Sequence, residues 1–311
     1  MAAGYDKQVE VPLEVLRLGF GFIEVGTVLP KPQEGNPKPV MFRLHGSKAL
    51  VNRCGFNSVG LDVALERLKR VRQKQADDPL TKDFMIGVSV GKNRTGEILA
   101  DTVRVVEAVA PYADYVALNV SSPNTPNLRD NQRRDPLVAL VHAASATIAA
   151  VGARIQAQGG SFNNTTKKPP LIFIKISVTR PDAAAGDVEK AGNPEGGLSG
   201  RPLKPLSKRI VYELYELTGG HVPIVACGGI SSAQDALEMI EAGASLCQLF
   251  TAMVYEGPGL PSRVKNGLAE LLMRKGYMSL SEAVGAAHRQ KAAAPAATRA
   301  QAQAASTPPR P

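Results

Sequence analysis

The chain has 311 residues, of which 44% are hydrophobic and 21% charged, and its formal net charge is +9 at pH 7. It can bury one large core as a single domain, and its scattered Lys and Arg, with no Trp and 5% aromatic residues, argue against nucleic-acid binding. Cys54, Cys227 and Cys247 are too few and too far apart for a disulfide framework or a metal site, so we expect a reducing compartment and no metal, with Cys227 and Cys247 buried.

The amino-terminal residues show no targeting signal. Met1–Lys7 has neither a charged region nor an apolar core of a signal peptide, and we identify no apolar run of membrane-spanning length in the chain. Ala2–Lys7 combines small residues with Gly4 and a cation at Lys7, which is typical of a strand end that approaches a ligand. A helix over 8–18, a strand over 21–26 and a Pro-rich loop over 27–39 are expected next.

Strand and helix patterns then alternate along the chain. Further strands are predicted over 86–90, 115–118, 171–176, 221–227 and 245–250. Helices are predicted over 61–74, 97–110, 136–155, 206–218, 233–242, 262–275 and 280–288, and the basic run of the first is interpreted as solvated surface. We expect a polar surface insertion over 156–170, no strand or helix over 177–200, and a disordered tail over 291–311. The alternation favours an α/β barrel in a single domain over 1–290.

The most informative stretch is Ala117–Thr125, where an apolar strand runs into short polar side chains. Pro123 ends the strand, so Asn119, Ser122 and Asn124 are expected at its carboxyl end, which carries the active site in such barrels. Amides beside hydroxyls suit a planar ligand rich in C=O and N–H groups. The alternative is a turn whose polar side chains satisfy one another.

Two other features indicate a ligand at the same end of the barrel. Lys175 is a cation inside an otherwise apolar strand, and we favour a ligand contact over snorkelling. Gly228 and Gly229 follow one strand and the Phe250–Met253 turn follows the next, as in the usual anion site of this fold. The sequence therefore predicts a phosphate site in the last two units.

These motifs resemble those of dihydroorotate dehydrogenase. The resemblance extends over residues 2 to 290 and is carried by Ala2–Lys7, Gly26–Pro37, Asn52–Asn57, Asn119–Thr125, Gly197–Gly200 and Cys227–Ser231. Serine at 122, where another class has cysteine, resembles the quinone-dependent class. The resemblance implies a (β/α)8 TIM barrel that binds FMN and oxidises dihydroorotate to orotate in pyrimidine biosynthesis. It also implies hydride transfer to FMN, reoxidation by ubiquinone, and a place at the mitochondrial inner membrane.

The resemblance also implies roles for individual residues. Ser122 matches the general base. The matching substrate contacts are Lys7, Asn52, Gly55, Phe56, Asn119 and Asn124. The matching FMN contacts are Ala3, Gly4, Thr27, Ser89, Asn119, Lys175, Ser199, Gly200, Gly228, Gly229, Phe250 and Thr251.

The chain departs from the family pattern in three places. Ser89 stands where the family usually has Asn, which removes an amide expected to contact the flavin. The sixth barrel strand and its helix would fall between Ser177 and Val178 and are expected to be missing. Part of the first strand is also expected to be missing, together with the amino-terminal segment through which the family associates with the membrane.

Alternative functions are an inactive barrel remnant or gene-model fragment of that enzyme, or another FMN barrel oxidoreductase. A flavin barrel acting on RNA uracil would want a catalytic cysteine in place of Ser122.

Overall fold

The computed structural model describes residues 1–121, 128–177, 188–189, 192 and 195–293. The strands are β1 (Phe22–Val28), β2 (Met41–Leu44), β3 (Ala49–Asn52), β4 (Met85–Val90), β5 (Tyr115–Asn119), β6 (Leu171–Lys175), β7 (Gly197–Gly200), β8 (Val225–Cys227) and β9 (Leu246–Gln248). The helices are α1 (Pro12–Arg17), α2 (Leu61–Ala76), α3 (Ile98–Val109), α4 (Arg134–Ala157), α5 (Lys204–Leu217), α6 (Ala233–Glu241), α7 (Thr251–Glu256), α8 (Leu260–Arg274), α9 (Leu280–Ala283) and α10 (Ala286–Ala293).

The parallel strands follow the predicted barrel order. β1, β4, β5 and β6 form one parallel sheet in that order, and β8 pairs with β9 in a second parallel sheet. The first residues of the chain join the two sheets. The Ala2 N–H donates to the Leu249 carbonyl at 2.9 Å, and the Met1 carbonyl accepts from the Glu24 N–H at 3.0 Å. Met1–Gly4 therefore occupies a strand position between β9 and β1.

The core lies between the sheet and its covering helices. The outward side chains of β4, Ile86 and Val88, are fully buried. In α3 the buried residues Val105, Val106 and Val109 recur at helical spacing, so one face of the helix packs toward β4 and the other remains polar.

Helix α4 corrects the expectation that the chain has no apolar run of membrane-spanning length. By length and composition it could cross a membrane. Its buried residues Leu140, Ala144, Ile148 and Val151 nevertheless lie on one stripe, and the helix packs against α3 and β6. Helix α4 therefore packs as one of the helices that cover the barrel.

A small antiparallel sheet was not predicted. Gly197–Gly200 forms β7, which pairs with β3, and β3 pairs with β2, so the expectation of no strand over 177–200 was wrong. The sheet lies against α7, because the Tyr255 hydroxyl donates to the Ala49 carbonyl at 2.7 Å. It therefore stands at the carboxyl end of β9, where the site is expected.

Strand β6 ends the four-stranded sheet. Within the described ranges no strand pairs with its outer side. Leu171, Ile174 and Ile176 are 60%, 45% and 41% exposed. The expected loss of the sixth strand stays a prediction. Cys227, on β8, is exposed rather than buried as expected.

Two polar segments at the amino-terminal end of the strands are more deeply buried than the sequence suggested. Arg72, in the basic run of α2, is 4% exposed, so the interpretation of that run as solvated surface was wrong at this position. The 156–170 insertion is anchored, because the Asn164 amide donates to the carbonyls of Ala113 and Lys168, each at 2.8 Å.

Candidate active site

A row of hydrogen-bonded polar side chains crosses the carboxyl ends of β1, β4 and β5. The Thr27 and Ser89 hydroxyls lie 3.0 Å apart, and the Asn119 amide nitrogen donates to the Thr27 hydroxyl at 3.4 Å. The Asn119 amide oxygen accepts from the Ser121 hydroxyl at 2.9 Å and from its backbone N–H at 3.1 Å. Ser89 is fully buried and Asn119 is 9% exposed. These contacts fix the orientation of the Asn119 amide.

An irregularity in β1 places Thr27 in this row. Between Val25 and Val28 the strand advances three residues while β4 advances only two. One extra residue in a strand reverses the alternation of side chains beyond it. Thr27 therefore faces the barrel interior, as Glu24 does three residues earlier.

Lys175 lies beside this row and is held by a buried carboxylate. It is paired in register with Asn119, and its Nζ lies 2.9 Å from Oε1 of Glu24. The Gln248 amide donates to the second carboxylate oxygen, Oε2, at 3.0 Å. The Lys175 side chain remains 25% exposed and the Glu24 side chain only 3%. A cation that one buried carboxylate holds in place thus faces the barrel mouth.

Aromatic rings close the barrel below this ion pair. The Tyr115 ring stacks on Phe173 with centroids 4.3 Å apart and meets Phe22 edge-on. Gly87 is required here, since a Cβ on it would lie 2.0 Å from the Tyr115 ring. Burial, followed by the charge of Glu24, raises the pKa of the Tyr115 hydroxyl well above the ordinary value. These rings therefore fill the barrel interior below the ion pair.

The predicted substrate residues after β3 are held together by a glutamine that the sequence analysis did not select. The Gln33 amide donates to the carbonyls of Gly55 and Phe56 at 3.0 and 3.1 Å. The Phe56 ring and the Thr27 side chain both lie next to Gly91: a Cβ on that glycine would be 3.7 Å from the ring and 2.6 Å from the Thr27 methyl group. The structure thus brings this segment up to the polar row.

The two other described substrate candidates differ in how firmly they are held. Asn52 donates to the Gly197 carbonyl at 3.5 Å across the β3–β7 pair. Lys7 is half-buried, and its ammonium has no hydrogen-bond or ion-pair partner within the described part of the chain. It is therefore available to an anionic ligand.

The predicted phosphate residues come from two separate elements. The Thr251 hydroxyl donates to the Ser199 hydroxyl at 2.8 Å, which joins the start of α7 to β7. Gly200, with φ at +106°, is required because a Cβ would lie 2.6 Å from the Lys48 carbonyl. Ser199, Gly200 and Thr251, which the resemblance assigns to FMN, are therefore adjacent, and their role as cofactor contacts stays a prediction.

The paired glycines after β8 are required by packing. A Cβ on Gly228 would lie 2.6 Å from the Ser207 hydroxyl, and one on Gly229 would lie 2.4 Å from the backbone nitrogen of Lys204. Both have positive φ angles, which glycine adopts most readily. Their backbone therefore lies directly against the start of α5.

The amino-terminal flavin candidates lie next to Phe250. Gly4 has φ at +93° and donates its N–H to the Gly26 carbonyl at 3.0 Å. Among the residues that the structure describes, a Cβ on Gly4 would meet only the Phe250 ring, 4.0 Å away, so their packing leaves open space above it. Ala3 is half-buried beside it.

Ser122 and Asn124 lie outside the described residues, so their predicted roles stay predictions. Glu24 and Gln248 are site residues that the sequence analysis missed. The rule that selected Lys175, a charged side chain inside an apolar strand, applies equally to Glu24. No group of three or more His, Cys, Asp or Glu that could hold a metal ion occurs in the ranges the structure describes.

Comparison with known proteins gives consistent matches. The family profile described as dihydroorotate dehydrogenase matches residues 1–272. The dihydroorotate dehydrogenase (quinone) of Erythrobacter litoralis is 42% identical over 92% of this chain and 83% of its own length. The mitochondrial dihydroorotate dehydrogenase (quinone) of Mus musculus is 41% identical over 93% of this chain and 77% of its own length. The crystal structure of DHODH from Eimeria tenella in complex with ferulenol superposes with a TM-score of 0.85 at 39% identity, covering 93% of this chain and 85% of that one.

Proposed function

The chain belongs to the dihydroorotate dehydrogenase family, and from this premise we propose how its residues serve the reaction of the quinone-dependent branch. The enzyme oxidises dihydroorotate to orotate in pyrimidine biosynthesis and passes the electrons to a quinone. Its fold is the TIM-type barrel of that family. Identity of 41–42% in alignments that cover more than nine-tenths of the chain does not favour an inactive remnant.

The observation that carries the assignment of the site is the buried row of Thr27, Ser89, Asn119 and Ser121 beside Lys175. It offers hydroxyl and amide groups at the carboxyl end of three adjacent strands, together with one cation. A flat heterocycle with C=O and N–H groups on its edge matches this set of donors and acceptors.

The residues present fit FMN as the flavin. Above Gly4 the backbone lies open, and Thr251 joins Ser199 at a second position where a phosphate would be held. Thr27, Ser89 and Lys175 would contact the ring, and Ala3, Gly200, Gly228, Gly229 and Phe250 complete the proposed set. When bound, FMN supplies the hydride acceptor of the reaction. Ser89 in place of an amide leaves a hydroxyl already engaged with Thr27, so the ring loses one donor at that position.

Ser122 is the proposed base. Its oxygen takes the proton from the ring carbon of dihydroorotate next to a carbonyl, while its own hydroxyl proton passes to a neighbour such as Thr125 or to water. Asn119 and Ser121 lie immediately before it, and their mutual hydrogen bonds fix the start of the loop. A hydroxyl is a weak base, so the site must orient it and exclude bulk water.

Substrate binding is assigned to groups from three segments. Asn52, Asn119 and Asn124 read the pyrimidine edge. Gly55 and Phe56 form the wall that Gln33 holds, and Lys7 pairs with the substrate carboxylate, since its ammonium has no other partner in the described part of the chain.

The electron acceptor is proposed to be ubiquinone, and the location the mitochondrial inner membrane. Several relatives are named as quinone enzymes, and those of Oryza sativa and Mus musculus as mitochondrial. Bacterial relatives of similar identity are named as quinone enzymes as well. Membrane association through an amino-terminal segment remains part of the proposal.

Anaerobic mixing with dihydroorotate tests the assignment. We expect the purified chain to bind FMN and the flavin absorbance to bleach, with recovery on adding a short-chain ubiquinone. Asn119→Ala should slow bleaching at least about a hundredfold, because a misplaced substrate loses much of its catalytic advantage. Asn163→Ala, an exposed asparagine in the 156–170 insertion, is the matched control. Equal bleaching rates in the two variants would remove Asn119 from the site.

A further inference from the structure

We propose that Glu24 is a positioning residue that sets both the direction and the charge of the Lys175 ammonium at the flavin site. The inference rests on the proposed function, because it concerns the contact of Lys175 with FMN. Nothing in the motifs around Ser122 or the glycine turns requires a carboxylate at this place. Its role follows from contacts inside the barrel.

The first argument is geometric. Both carboxylate oxygens of Glu24 are engaged: Oε1 lies 2.9 Å from the Lys175 Nζ, and Oε2 accepts from the Gln248 amide at 3.0 Å. Gln248 is itself 4% exposed, so the carboxylate cannot rotate away without leaving a buried donor unpaired. The Lys175 ammonium is therefore held toward β1 at one end of a fixed chain of contacts.

The second argument is energetic. Moving an unpaired carboxylate or ammonium out of water is costly, and the cost is offset only when the two are paired. Glu24 is 2% exposed as a residue, so the Lys175 ammonium 2.9 Å away is the cation that offsets the burial of its carboxylate. A ligand that contacts Lys175 therefore meets an ammonium whose charge the protein partly neutralises.

The groups that face Lys175 give its ionisation a definite direction. They are Glu24 on β1, Cys227 on β8 and the amino group of Met1, with the Tyr115 hydroxyl facing Glu24 from β5. Burial alone would lower the pKa of Lys175, but the charge and hydrogen bond of the Glu24 carboxylate, together with Cys227, outweigh it and the pKa is raised. Replacing Glu24 by a neutral side chain leaves the lowering effect of burial without its main opponent.

A flavin-free measurement tests the first half of the proposal. Competitive acetylation of the apo chain, quantified by mass spectrometry across pH, reports the pKa of Lys175, whose side chain is partly accessible. We expect a raised pKa in the parent chain, retained in Glu24→Asp and lowered in Glu24→Gln. A Lys175 that titrates at or below an ordinary lysine in the parent chain would overturn the proposal. This outcome is measured on the parent chain alone, so it requires neither bound FMN nor a folded Glu24 variant.

FMN titration tests the second half. Affinity of the parent chain should stay within about twofold between pH 7 and 9, whereas that of Glu24→Gln should fall by more than about twofold over this range, because burial then lowers the pKa of Lys175 without a carboxylate to oppose it. Glu241→Gln is the control. Glu241 also forms an ion pair, with its Oε1 2.7 Å from the Lys275 Nζ, but this pair lies away from the site. The flavin midpoint potential of Glu24→Gln at pH 7 should move to more positive values, since the ammonium is no longer neutralised.

A double-mutant comparison separates positioning from a merely structural role. If Glu24 acts through Lys175, Glu24→Gln combined with Lys175→Met should show the same pH-independent FMN affinity as Lys175→Met alone. Additive losses would mean that Glu24 serves the fold and would reject the inference. If the parent chain fails to bind FMN at all, the proposed cofactor is wrong, while the acetylation result still decides whether Glu24 controls Lys175.

Discussion

The Arg72 guanidinium donates to the Asp114 carboxylate at 2.7 Å, and the two side chains are only 3% and 0% exposed. The pair joins α2 to the residue before β5. Asp114 also accepts from the Ile86 N–H at 2.7 Å and from the Thr165 N–H at 2.8 Å, which ties β4 and the 156–170 insertion to the same carboxylate. Four segments of the chain thus depend on one buried charge.

Removing one partner of this pair should be strongly destabilising. Arg72→Met leaves the Asp114 charge buried without its main partner, and we expect the free energy of unfolding to fall by about 3–5 kcal/mol. Urea denaturation followed by circular dichroism measures it. Arg209→Met, which removes an exposed ion pair with Glu213, should cost less than about 1 kcal/mol. Similar losses of unfolding free energy in both variants would contradict the claim that the buried Arg72–Asp114 pair stabilises the fold more than an exposed ion pair does.

Ser122→Ala tests the proposed base. We expect the variant to bind FMN normally and to reduce it about 10²- to 10⁴-fold more slowly with dihydroorotate, because the proton acceptor is lost. Stopped-flow absorbance under anaerobic conditions measures the rate. Ser161→Ala, at an exposed position in the insertion, serves as control. Reduction at the parental rate in Ser122→Ala would exclude this serine.

Thr27→Val tests the polar row. The substitution keeps the shape of the side chain but removes the hydroxyl that Ser89 and Asn119 share, which should lower the free energy of unfolding by about 1–3 kcal/mol. With its amide released, Asn119 should bind substrate less well, so KM for dihydroorotate should rise more than kcat falls. Thr147→Val is the matched control, since that hydroxyl donates only to the Ala143 carbonyl of its own helix. An unchanged KM for dihydroorotate would show that the polar row does not contribute to substrate binding.

Gly285→Ala separates steric conflict from backbone strain. Gly285 has φ at +71°, and a Cβ on it would lie 2.3 Å from the Tyr215 ring. Strain and overpacking together should cost about 2–4 kcal/mol. Gly257→Ala has almost the same φ, +75°, with nothing within 4 Å of its Cβ, so it should cost only about 1–2 kcal/mol. Thermal unfolding of the two variants should therefore differ, and equal shifts in Tm would count against the close contact with Tyr215.

Asp235 should contribute to stability in a pH-dependent way. Burial by itself raises the pKa of this carboxyl, but hydrogen bonds from Lys204 and Ser231 outweigh it and the pKa is lowered. A lowered pKa in the folded state means that the stabilisation is present above the unfolded pKa and is lost as pH falls through the folded one. Asp235→Asn should therefore flatten the acid limb of the stability curve, whereas Asp83→Asn, at an exposed position, should preserve it. Urea midpoints between pH 7 and 3 measure both curves.

Local pattern was sufficient for the barrel elements. β4 and β5 are short runs of buried β-rich residues bounded by glycine or polar turns, and α3 between them repeats apolar residues at helical spacing, so all three could be predicted without knowing their neighbours. Lys175 could be selected because it is a charged side chain inside an apolar strand, and Thr251 because it lies in the turn that follows a predicted strand.

What the sequence concealed depends on distant partners. β7 is four residues with two glycines, and its strand character comes from pairing with β3, where Asn52 meets Gly197 across 145 positions of sequence. Arg72 looked like surface because its partner Asp114 is 42 residues away. Thr27 could be assigned by resemblance, but its inward direction depends on the extra residue in β1, which has no local signature.

The β3–β7 pairing has a consequence for how two ligands influence each other. In that ladder Leu50 lies opposite Ser199 and Asn52 opposite Gly197, so a proposed cofactor contact and a proposed substrate contact stand on the same hydrogen-bonded ribbon. Ordering the ribbon for one ligand also orders it for the other. Thermodynamic linkage then requires that FMN and orotate each increase the affinity of the other by the same factor. Calorimetric titration of orotate into the apo and the FMN-loaded chain would measure this cooperativity, and equal affinities would show that the ribbon does not transmit it.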